Sequence, residues 1–252
     1  MTAALPLFDY ALRLADDALI LGHRLSEWCG HAPLLEEELS LANIGLDLIG
    51  QARRLYDYAA ALEGAGRDQD ALAYRRDAPA FRNLLLVEQP NGDFAMTIAR
   101  LFLYAAYAAP FWRRLAGSRH ATLASVGVEA APEAAYHLRH AGEWLVRLGD
   151  GTAESRRRAQ AALDALWPYT GEMFEADEVV AALVGEGIAA DPATVRTVWD
   201  ETVTAVLAQA TLQRPVDGWM QSGGRRGRHT EHLGHLLAEM QFLQRAYPGS
   251  QW

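Results

Sequence analysis

Residues 35–60, LEEELSLANIGLDLIGQARRLYDYAA, constrain the fold more than any other stretch of the chain. Leu39, Ala42, Leu46, Ile49, Arg53 and Tyr56 recur at alternating steps of three and four, so one helix carries them on one face. That face is apolar except for Arg53. A guanidinium on a core stripe is costly unless acceptors meet it. Two readings are open. Either the aliphatic stem of Arg53 lies in the core and its head reaches water, or Arg53 is the cationic centre of a buried polar cluster between helices.

The rest of the chain has the same period. A first amphipathic helix is expected over residues 5–29, with Leu12, Leu19, Leu21 and Leu25 at helical spacing, and Gly30 with Pro33 stops it. Two short polar pieces follow between residues 71 and 83. Pro90-Asn91-Gly92 marks a turn, and Asp93 is placed to cap a third helix, residues 94–115, apolar on nearly every side. Pro110 should kink it near its end. A fourth helix is expected to split at Pro132, its second part covering residues 133–148. Further helices are expected from Thr152 to before Pro168, over 178–186, from Asp191-Pro192 to about Leu212, and over 230–246. No strand alternation persists beyond a few residues, and there is no repeat or low-complexity linker. The expectation is an all-α chain forming a single domain over residues 1–252.

Composition narrows the function classes. The net charge of −9 argues against sequence-independent nucleic-acid binding. With one cysteine, Cys29, the chain has no intrachain disulfide and no cysteine-based metal cluster of its own. Cys29 reads as an ordinary buried thiol at a helix end. The N-terminal stretch lacks a basic region and has Asp9, Asp16 and Asp17 within its apolar pattern, so it does not read as a signal peptide. No uninterrupted apolar run suits a bilayer span, and a cytoplasmic location is expected.

Long apolar helices with polar inner faces suit carboxylate-bridged di-iron sites. These need Glu-x-x-His pairs, because that spacing puts a carboxylate and an imidazole on one helix face. No Asp or Glu in this chain has a His three residues later. The nearest approaches are Glu133 with His137 and Glu231 with His235, at i and i+4, which read as hydrogen-bonding pairs. His229, His232 and His235 fan over a broad arc, which suits capping or an interface better than a metal. The run Gly223-Gly224-Arg225-Arg226-Gly227-Arg228 before a helix start combines backbone freedom with three guanidinium groups. It reads as a helix connector, a partner contact or an anion site formed by Arg225, Arg226, Arg228 and His229. It lacks the Gly-Lys-Ser/Thr ending of a P-loop, and no G-x-S-x-G occurs.

Five stretches together are similar to one family: LSEWCGHAPLLEEELSLANIGLDLIGQAR, RNLLLVEQPNGDFAMTIAR, YHLRHAGEWLVRLGDGT, LWPYTGEMF and WMQSGGRRGRHTEHLGHLLAEMQFLQR. They resemble the C subunits of ring-1,2-phenylacetyl-CoA epoxidase, the multicomponent bacterial mono-oxygenase of aerobic phenylacetate degradation, over about residues 12–252. The resemblance implies a ferritin-like helical bundle with additional helices. It also implies a homologous catalytic A subunit that holds the di-iron centre, with a small B subunit and a reductase. The C subunit is the structural partner, with no cofactor and no catalytic residue of its own. Set beside the catalytic relative, Gly50 stands at its Glu position and Arg53 at its His position. Ala134 stands where a second Glu would be, and His137 is the retained imidazole. On that registration the Arg53 charge takes the place of a lost metal dication, with Glu38, Asp47, Glu133, Glu231 or His137 as neighbours.

Two other readings compete. One is a metal-dependent oxygenase with ligands at Glu133, His137, Glu231 and His235. The other is a docking module whose arginine-rich loop holds the phosphates of a CoA thioester. An apolar partner surface left open would also favour a homodimer when the chain is alone.

Overall fold

The structure, a computed structural model, describes residues 4–250. Among these residues the regular elements are all helical. In chain order they are α1 (Ala4–Ser26), α2 (Leu35–Glu63), α3 (Gln69–Tyr74), α4 (Leu85–Glu88), α5 (Phe94–Leu115), α6 (Ala121–Gly149), α7 (Ala153–Leu166), α8 (Glu178–Gly185), α9 (Pro192–Gln209), α10 (Glu231–Met240) and α11 (Phe242–Ala246). Short 3-10 turns lie at Ala78–Ala80, Trp167–Tyr169, Gly171–Phe174 and Gly224–Arg226. The chain divides into two compact units, one running to Pro90 and resuming at Ser222, the other Asn91–Gln221.

The first unit is built on α1 packed along α2. The two helices approach closely at a pair of glycines. A Cβ on Gly22 would lie 3.1 Å from the Gly45 carbonyl oxygen, and one on Gly45 would lie 3.3 Å from that of Gly22. The buried residues of α2 are Glu37, Leu41, Ile44, Gly45, Leu48, Gln51, Ala52, Leu55, Tyr56 and Ala59. This differs from the face expected from sequence. Leu39, Leu46 and Arg53 are exposed, and only Tyr56 of that stripe is fully buried. Both stripes have helical period, so period alone does not select the one facing the core.

In the second unit α5 packs against α6, α7 and α9. Asp93 caps α5, its carboxylate accepting from the Met96 amide at 2.9 Å. By length and composition α5 would suit a membrane span, but 89% of its most apolar window is buried within the protein, as expected of a core helix. Trp199 of α9 donates from Nε1 to the Leu103 carbonyl at 3.0 Å, fixing α9 to α5. Thr152 forms a capping box with Ser155 at the start of α7.

Three local expectations need correction. Pro132 does not split α6; the helix is continuous. Pro132 is exposed, so the carbonyl that loses its donor can be hydrated on the outer face. The last expected helix is two, α10 and α11, separated at Gln241. There the Gln241 side chain donates to the carbonyls of Ala73 (3.2 Å) and Arg76 (3.0 Å) instead of extending outward. The first helix ends at Ser26, and Cys29 lies exposed in the turn after it. The outermost positions of the expected 1–252 domain, 1–3 and 251–252, fall outside the described residues.

Candidate functional site

The polar residues expected to mark a former metal site separate into different environments. Gly50 and Arg53 lie on the outward face of α2, and Arg53 donates from Nε to Gln69 Oε1 at 3.0 Å. The inward positions beside them on this helix include Leu48 and Gln51, three apart. Arg53 therefore does not fill a buried space left by a metal, and Gln69 is its partner rather than any of the acids proposed from sequence. Ala134 and His137 do face inward on α6 and are buried. Glu133 is half-buried, while Glu231 and His235 are exposed on α10. Glycine and alanine offer no donor, and a guanidinium repels a cation. This donor set does not fit a carboxylate-bridged di-iron centre. Among the described residues no three His, Cys, Asp or Glu side chains cluster as a metal would require.

The buried charge of the first unit lies elsewhere, on three acids. Asp16 and Asp17 are adjacent in α1, and Glu88 ends α4; all three are fully buried. Asp16 accepts from Tyr56 Oη, from Arg76 and, at 2.7 Å, from the Arg82 amide. The Arg76 guanidinium also lies 4.1 Å from the centre of the Phe81 ring, a cation–π contact. Asp17 takes two bonds from Arg225, 3.0 Å to Oδ1 and 2.8 Å to Oδ2, and a third from the Leu84 amide at 2.7 Å. Glu88 accepts from the Thr230 amide (2.6 Å), Thr230 Oγ1 (2.8 Å), Asn83 Nδ2 (2.9 Å) and His229 Nδ1 (2.8 Å).

The arginine-rich run therefore serves mainly inside the protein. Arg225 also donates to the carbonyls of Arg82 (2.9 Å) and Arg13 (3.2 Å). His229 Nε2 faces the Phe81 carbonyl at 3.0 Å, an acceptor only, while Nδ1 faces the Glu88 carboxylate. The imidazolium is the form that satisfies both. Its pKa is accordingly raised. Burial pulls it down, but the hydrogen bond and charge of Glu88 prevail. Burial pushes the Asp17 carboxyl up to about 6, against the lowering effect of Arg225. Gly227 turns the run at φ 72°, and a Cβ there would lie 2.2 Å from the Pro79 carbonyl oxygen. Only Arg226 and Arg228 of the run are exposed, Arg226 donating to Ser222 Oγ at 3.2 Å.

Sequence reasoning passed over Asp16, Asp17, Arg76 and Glu88 as functional groups. A signal existed for the acids. Adjacent aspartates inside an apolar helix, and a glutamate closing the apolar run LLLVE, need buried partners. Nothing local pointed to Arg76, 60 residues from Asp16; Arg225 stood out in the arginine-rich run, but not its partner Asp17, 208 residues away.

The sequence model of the family described as "Phenylacetic acid catabolic protein" matches residues 2–252. The C subunit of the 1,2-phenylacetyl-CoA epoxidase of Escherichia coli (strain K12) is 54% identical over 243 residues, covering 96% of this chain and 98% of that protein. The chain is thus an all-α, ferritin-like member of the phenylacetic acid catabolic protein family.

Proposed function

We propose that this chain is a non-catalytic structural subunit of a ring-1,2-phenylacetyl-CoA epoxidase complex. In this reading it pairs with a homologous A subunit that holds the di-iron centre, acts with a small B subunit and a reductase, and resides in the cytoplasm. The observation that carries the proposal is how the buried acids are neutralised. Arg76 meets Asp16, Arg225 meets Asp17, and His229 meets Glu88. In a metal-bearing bundle, inner carboxylates ligate cations; here the buried carboxylates of the first unit are taken up by protein side chains, away from the positions set against the relative's metal ligands. The likeness to the Escherichia coli protein over nearly the whole of both chains supports the same reading.

Such a subunit acts by packing. A bundle homologous to its partner offers long helices that hold the partner's ligand-bearing helices in a fixed frame. The test is turnover. The A subunit supplied with its reductase and the small B subunit should epoxidise phenylacetyl-CoA slowly or not at all without this chain, and at full rate with it. Full-rate turnover in its absence would sink the proposal.

A further inference from the structure

We infer that the groove between α6 and α9 of the second unit receives an amphipathic helix of another polypeptide, one with an acid, a base and an acid at steps of four along its edge. The groove has a volume of about 570 Å³. Its lining is mostly small or aliphatic, with Leu138, Gly142 and Val146 from α6 and Thr202, Val206 and Gln209 from α9. Both sets recur at helical spacing, so the groove follows the helix axes. From Ala135 to Val146 it runs about 16 Å, or about three turns of a docked helix. Gly142 opens the floor, where a built Cβ would meet Phe102 at 3.8 Å and Val206 at 3.9 Å. A slot of this length and lining takes apolar side chains at i, i+3, i+4 and i+7 of a helix laid along it.

The rim of the groove on α6 selects the occupant. Arg139, Glu143 and Arg147 line it at steps of four, the spacing at which opposite charges on one helix pair. They do not pair with one another. Among the described residues, none of these three side chains has an ion pair or a hydrogen bond. Instead Arg139 lies 5.4 Å from the centre of the Tyr136 ring and Arg147 lies 5.1 Å from the Trp144 ring, each ring three residues before its arginine. These contacts hold both guanidinium planes in place and leave their N–H donors for a partner. The order plus, minus, plus over about 12 Å calls for minus, plus, minus opposite it. A single small anion cannot reach both arginines, and at either one it stands beside Glu143. A second copy set groove to groove would oppose like charges. The complementary order at steps of four occurs once in this chain, at Asp9, Arg13 and Asp17 on α1, where Arg13 and Asp17 are buried. The occupant is therefore a different protein.

The inference rests on the proposed complex for the source of that helix. A photoreactive benzophenone amino acid is placed at Gln209, exposed on the α9 edge of the groove. The complex assembled from this chain, the A and B subunits and the reductase is irradiated, and the adduct is mapped by mass spectrometry. The expected adduct joins this chain to a helical segment of another subunit that carries acid, base and acid at steps of four. Arg139→Glu with Arg147→Glu, both at exposed positions that leave the fold intact, should weaken binding of that subunit about tenfold or more. Reversing the two acids of the cross-linked segment should restore it. Gly142→Leu, which fills the floor of the groove, should weaken the same binding. An adduct to a second copy of this chain overturns the inference, as does one to a segment without this charge order, or binding indifferent to the double reversal. The absence of a protein adduct in a complex that turns over phenylacetyl-CoA overturns the inference and leaves the proposed function standing. Failure of this chain to associate with the other subunits overturns both.

Discussion

Arg225 and Asp17, 208 residues apart in sequence, meet through two parallel hydrogen bonds of 3.0 and 2.8 Å inside the first unit. This pair ties the run before α10 onto α1. Its energetics are asymmetric, because the acid is fully buried and the arginine nearly so. Removing one partner strands a charge, whereas removing both leaves an apolar gap to be filled.

Arg225→Leu is therefore expected to cost about 3–5 kcal/mol in urea unfolding. Arg225→Leu combined with Asp17→Leu should cost clearly less than the single change. Equal losses in the single and double variants would mean that Asp17 finds another partner and the pair is incidental.

Two arginines make a direct comparison. Arg76 bonds Asp16 and Tyr56 in the core, while Arg53 bonds Gln69 at the surface. Arg76→Ala should cost about 3–5 kcal/mol, and Arg53→Ala should fall within about 0.5 kcal/mol of wild type. Thermal and urea unfolding of the two variants side by side distinguish them. A large loss for Arg53→Ala would restore the buried-cation role that its place in the sequence suggested.

The histidines give opposite pH dependences. His229 has a raised pKa, so its contribution is complete below the ordinary value of 6.5 and is lost as pH rises through the folded value. Asp17, raised from 3.8 to about 6, follows the same direction over its own range. His23 is pushed down from 6.5 to about 4 by burial, so its contribution is complete above 6.5 and lost as pH falls toward 4. His229→Gln should therefore destabilise most below pH 6.5 and progressively less at higher pH. His23→Leu should remove about 3 kcal/mol of the acid-side slope between pH 6.5 and 4. Unfolding free energies across this range read both, and a pH-independent effect of His229→Gln would contradict the imidazolium assignment.

The exposed arginines test the docking reading. Arg226→Glu with Arg228→Glu leaves the Asp17 and Glu88 bonds untouched, so the assembled complex should keep its KM for the acyl-CoA within about twofold, less than about 0.4 kcal/mol. A tenfold rise would assign the loop to CoA phosphates.

Much of the architecture was legible in the sequence, and particular residues show why. Asp93 before an apolar helix defined the start of α5, and Asp191-Pro192 that of α9, because caps and N-terminal prolines are local signals. The buried face of α2 was not legible. Leu39, Ala42, Leu46 and Ile49 and the alternative set Leu41, Ile44, Leu48 and Leu55 have equally good helical period, and only packing against α1 distinguishes them. The charge network was hidden for a different reason. Asp16, Asp17 and Glu88 announce a need for partners, but Arg76, Arg225 and His229 answer from distant segments that the fold alone brings near.

Iron content decides whether this chain carries a metal centre of its own. The chain is expressed alone in iron-replete medium and again with its A subunit, and iron per chain is measured by elemental analysis. No stoichiometric iron is expected in the lone chain, and about two irons per heterodimer, the complement of one carboxylate-bridged site. About two irons in the lone chain would contradict that expectation and make this protein a metal enzyme in its own right.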